Sequence, residues 1–60
     1  MPSLAAVAVD VADLTAMLHI LADAAAQRGD EDGRRALRLL ARHGERIAEQ
    51  LEHITDEEGP

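Results

Sequence analysis

Gln27-Arg28-Gly29-Asp30-Glu31-Asp32-Gly33 is the central break in a chain otherwise built from strong helix formers, chiefly Ala, Leu, Arg and Glu. Gly29 suits the left-handed position that ends a helix. Asp30 suits the N-cap of the next one, with Glu31 and Asp32 in a first turn whose dipole favours acids. Working outward, Ser3 is a fitting N-cap for a first helix over about residues 3–28. The turn falls at about 29–30 and a second helix runs over about 31–55. The tail 56–60, Asp-Glu-Glu-Gly-Pro, repels itself and ends on a Gly-Pro stop, so it is expected to fray.

Both halves repeat apolar residues at alternating spacings of three and four. The first half presents Leu4, Val7, Val11, Leu14, Leu18, Leu21 and Ala25; the second presents Leu37, Leu40, Gly44, Ile47, Leu51 and Ile54. That period is the seam of a left-handed helix pair. A turn this short makes the helices antiparallel neighbours. Matching the seams pairs Ala25 with Leu37, Leu21 with Leu40, Leu18 with Gly44, Leu14 with Ile47, Val11 with Leu51 and Val7 with Ile54. In this register Gly44 makes room for Leu18 or lets the two backbones approach. The expected fold class is therefore all-α, a single domain over 1–60 that forms an antiparallel two-helix hairpin.

A 60-residue domain buries a modest share of its surface and is marginal alone. With no cysteine, disulfides cannot supply the difference. A second stripe, Val9, Ala16, Met17, Ile20 and Ala24 with Leu39 and His43 of the second half, offers more apolar surface to a partner. The seam is flanked by small residues, Ala8, Thr15, Ala22, Ala36, Ala41 and Ala48, where a solvated coiled coil would carry Glu and Lys. Small flanks permit further helices to approach. The expectation is a homodimer of hairpins, a four-helix bundle with two-fold symmetry; a heteromeric partner helix would satisfy the same surface.

The second half is polarised. Arg34, Arg35, Arg38, Arg42 and Arg46 fill its beginning and middle, and Glu45, Glu49 and Glu52 its end. This order opposes the helix dipole and sets like charges at helical spacing. Antiparallel self-docking would bring the Arg half of one copy to the Glu half of another. The hairpin also directs Asp10 and Asp13 toward Glu49 and Glu52 at its open end.

Composition excludes several functions. The chain has no Phe, Tyr or Trp, and its net charge is -6, which disfavours nucleic-acid binding; an Arg cluster acting on nucleic acid is an alternative reading. His43 and His53 with the nearby acids are the alternative metal or ligand donors, but no Glu-x-x-His element of a di-metal bundle is present. Asp30-x-Asp32-Gly33 lacks the rest of a calcium loop. No nucleophile elbow, phosphate loop or Cys/His pair occurs, so neither catalysis nor a cofactor is expected. No Lys or Arg precedes Arg28, which argues against a secretory signal. Asp10, Asp13 and Asp23 argue against a membrane span. All six basic residues are Arg, which with the abundant Ala suggests a GC-rich bacterial coding sequence. The expected place is the cytoplasm, and the expected role is that of a small regulatory or assembly module working through protein–protein contact.

Overall fold

Two backbone hydrogen bonds close the turn between the helices. The Asp30 amide donates to the Ala25 carbonyl at 2.9 Å and the Gly29 amide to the Ala26 carbonyl at 3.0 Å. Gly29 takes φ of +79°, a conformation that costs a side-chain-bearing residue more than glycine. This is the paired-bond ending of a helix that satisfies its orphan carbonyls. Immediately beyond, the Asp30 carboxylate accepts from the Gly33 amide at 2.9 Å and starts the second helix. The chain therefore reverses direction with hydrogen bonds on both sides of the turn.

The computed structural model describes residues 3–57. Helix α1 spans Leu4–Gln27 and helix α2 spans Glu31–Glu57. Ser3 caps α1 through its hydroxyl, which accepts from the Ala6 amide at 3.1 Å. Glu31 and Asp32 occupy the first turn of α2, and Glu31 pairs with Arg34 at 2.9 Å. α2 continues two residues past Thr55, so Asp56 and Glu57 are helical; the rest of the expected frayed tail, 58–60, lies outside the described residues. The helices pack side by side along their length in a rod measuring 48 by 16 by 13 Å.

The core differs from the seam that the spacing predicts. The buried residues are Ala8, Thr15, Ala22 and Ala25 of α1 and Ala41 and Ala48 of α2. Val11, Leu18, Leu37, Gly44, Leu51 and Thr55 are half-buried beside them. One row of the predicted seam thus stays in the contact: Val11, Leu18, Ala25, Leu37, Gly44 and Leu51. The other row is displaced by one residue, from Leu14, Leu21, Leu40, Ile47 and Ile54 to Thr15, Ala22, Ala41, Ala48 and Thr55. Val7 is half-buried, and Leu4 is exposed. The small residues expected to admit further helices serve instead, Ala36 apart, to bring α1 against α2.

The glycine also has a different neighbour. A Cβ on Gly44 would meet the Thr15 side chain, so the room beside it is taken by Thr15 rather than by Leu18. Thr15 is buried without an unsatisfied hydroxyl, because its Oγ1 donates to the Val11 carbonyl at 2.8 Å. Small side chains along both helices allow separations at the close end of the roughly 8–10 Å range for packed helices. The physical reason for the shift is size: the alanine rows fit together where two leucine rows would hold the backbones apart.

Candidate interaction surface

An α-helix places residues seven apart on one line, so each row of the hairpin can be assigned to a flank. A hydrogen bond and an ion pair between the helices fix one flank: His19 Nε2 and Glu45 Oε1 stand 2.7 Å apart, and Arg38 Nη2 and Asp23 Oδ1 stand 3.7 Å apart. The rows on the other side of the alanine core are Val7, Leu14 and Leu21 of α1 and Leu40, Ile47 and Ile54 of α2. They form a continuous apolar flank, much of which the hairpin leaves exposed. Leu14 is 55% exposed, Leu21 52%, Leu40 55%, Ile47 38% and Ile54 42%. The half-buried row of Val11, Leu18, Leu37 and Leu51 borders it on the inside.

The stripe expected to carry the oligomer contact does not form one surface. Met17, Ala24 and His43 stand at the rim of the apolar flank. Val9 and Ala16 lie on the opposite flank, with His19 and Asp23. Ile20 and Leu39 point outward from the far edges of their helices. Ala24 is half-buried and the other six are exposed. Leu14, Leu21, Leu40, Ile47 and Ile54, read from the sequence as hairpin seam, are therefore the large apolar side chains that face outward together.

The second flank is polar. Arg35, Arg38 and Arg42 line it toward the turn, followed by Glu45, Glu49 and Glu52, all exposed. Arg34, half-buried near the start of α2, is held by Glu31. Alanines of α1 leave shallow open grooves beside this stripe. One is bordered by Ala12, Asp13, Glu52 and Asp56, another by Ala16, His19, Glu45 and Glu49. Asp13 thus shares a groove with Glu52 as the hairpin register implied. Asp10 falls on the row of Met17 and Ala24, at the rim of the apolar flank. The pairings of His19 and Asp23 were not read from the sequence, although their separation by four residues on the flank facing Arg38 and Glu45 carries the signal.

The metal reading finds no assembled donor set: no group of three or more His, Asp or Glu residues suited to a metal ion occurs among the described residues. His43 and His53 are separated by about 15 Å along α2 at 1.5 Å per residue. The Arg row is not a uniformly basic patch either, since Glu31 and Asp23 meet two of its members. α1 is long and apolar enough to cross a bilayer, by length and composition alone, and it carries Asp10, Asp13 and Asp23.

No family model matches the chain, and neither a curated protein nor a solved structure matches it.

Proposed function

We propose that this chain is a non-enzymatic interaction module of the cytoplasm, a hairpin that pairs with a second copy into a four-helix bundle and serves as an assembly or regulatory component. One observation carries the reading: five large apolar side chains drawn from both helices, Leu14, Leu21, Leu40, Ile47 and Ile54, stand exposed on the same flank. The hairpin's own core is mostly alanine and contains no large fully buried side chain. Burying a methyl-sized group contributes only about 0.8 kcal/mol, whereas a Leu or Ile contributes roughly 1.5–3. A substantial hydrophobic contribution therefore remains on the exposed part of this flank, where a partner could cover it. A two-fold pairing is the simplest closed arrangement, because the flank is elongated and both helices contribute to it equally. The composition of α1 fits this reading as well as a bilayer reading, since a helix apolar on more than one side is also what a bundle interior requires.

Sedimentation equilibrium and thermal unfolding over a wide protein concentration range test the proposal. A dimer mass is expected, with a melting temperature that rises with concentration because association and folding are linked. A monomer mass with a concentration-independent melt overturns it. So does stable partition into uncharged lipid vesicles in place of dimer formation.

A further inference from the structure

The polar flank of α2 has a symmetry of its own. About the point midway between His43 and Gly44, Arg42 mirrors Glu45, Arg38 mirrors Glu49, and Arg35 mirrors Glu52. Every mirrored pair has opposite sign. The six residues follow spacings of three and four, so they form one stripe, and all six are exposed. Within a single helix this order is unfavourable. Arg35–Arg38, Arg38–Arg42, Glu45–Glu49 and Glu49–Glu52 are like-charged neighbours, and only Arg42–Glu45 attracts. Laid antiparallel against a second copy of itself, the stripe places each Arg beside a Glu, giving six opposite-sign pairs.

We infer that this stripe is a second contact between copies of the chain, in which α2 packs antiparallel on α2 of another molecule with Arg35 beside Glu52, Arg38 beside Glu49 and Arg42 beside Glu45. It uses the flank away from the apolar side and does not depend on it. The neighbouring surface of α1 is low, because Ala12 and Ala16 line it, so a second helix can approach without obstruction. Asp23 and His19 already lean on Arg38 and Glu45. Those bonds link the two helices of one hairpin and leave the arginines and glutamates exposed for a second partner. The contact ends where the mirror fails: the next pair outward, Glu31 and Asp56, is like-charged. A molecule with an apolar two-fold contact on one flank and a polar one on the other assembles beyond the dimer.

Charge reversal at one mirrored pair tests this. Arg35 and Glu52 lie 17 positions apart on the same helix, about 26 Å, so they cannot interact within one molecule. R35E, E52R and the double variant R35E/E52R are compared by sedimentation velocity for the step beyond the dimer. Each single reversal is expected to weaken that step roughly tenfold, and the double to restore it to within about threefold of the parent. Net charge alone predicts otherwise, because R35E makes the chain more negative than -6 and E52R less so, which would move the two in opposite directions. Opposite effects, or a double variant no better than the worse single one, overturn the inference. The double variant also controls for folding, since a fold broken by either residue would stay broken in it. A dimer that never grows overturns this contact and leaves the apolar one standing. A dimer that is monomeric in about 1 M salt keeps this contact and overturns the apolar one.

Discussion

The two flanks of the hairpin are built from the same two helices and differ in almost everything else. One carries Leu14, Leu21, Leu40, Ile47 and Ile54, and the other carries His19, Asp23, Arg38 and Glu45. Between them runs a narrow core of alanines. The polar flank makes side-chain contacts inside one molecule, because His19 and Asp23 reach across to Glu45 and Arg38. Much of the apolar flank stays exposed, because its side chains stand beside the core rather than in it. A hairpin stitched by small residues holds its helices close together and leaves its larger apolar residues for something else. The contrast teaches that close helix packing through small residues and an exposed apolar flank are two sides of the same arrangement, and the proposed association would use the second.

Breaking the apolar flank is expected to have the largest effect. Leu40→Glu places a charge in the proposed contact and is expected to weaken dimer formation by roughly a hundredfold or more, read by sedimentation equilibrium. The matching change on the polar flank, Ala16→Glu, should leave the dimer within about threefold of the parent; equal losses would show that the flanks do not differ as described. The core between them responds next. Gly44→Ala forces a Cβ against Thr15, and overpacking of roughly 1–3 kcal/mol is set against about 1 kcal/mol gained in helix propensity. A net loss is expected, and Thr15→Ala in the same chain should recover it, which thermal unfolding at fixed concentration would resolve.

The turn gives a smaller effect common to both flanks. Asp30→Ala removes the cap on the Gly33 amide and is expected to cost about 1 kcal/mol, seen in the unfolding midpoint. The smallest change is expected from the side-chain contacts of the polar flank. His19 and Glu45 have side chains 51% and 54% exposed, and such surface pairs contribute about 0.2–1 kcal/mol. His19→Ala should accordingly shift stability by no more than about 1 kcal/mol and leave the dimer mass unchanged. A larger loss would mean that the polar flank holds the hairpin together more firmly than its exposure implies.

Much of the fold was legible in the residues. Gly29 and Asp30 marked the turn because only certain residues end one helix and begin another at that spacing, and both helices followed from their propensities. The contact surface was legible only in part. Spacings of three and four fit both the leucine row through Leu14 and Leu21 and the neighbouring row through Thr15 and Ala22, since alanine also counts as apolar. Val11, Leu18 and Ala25 belong to both readings, so periodicity could not separate them. Thr15 was the least legible residue, because a hydroxyl at a core position is tolerated only once its bond to the Val11 carbonyl is known.

The sequence by itself determined two helices, their antiparallel order and the place of the turn. These depend on local propensity, capping and chain reversal, which act over a few residues. Only the tertiary structure decided which row lies inside. That choice depends on how closely two surfaces fit, and the fit is a property of both helices together. With alanines facing alanines, and Thr15 against Gly44, the helices come together, and Leu14, Leu21, Leu40, Ile47 and Ile54 are left at the surface.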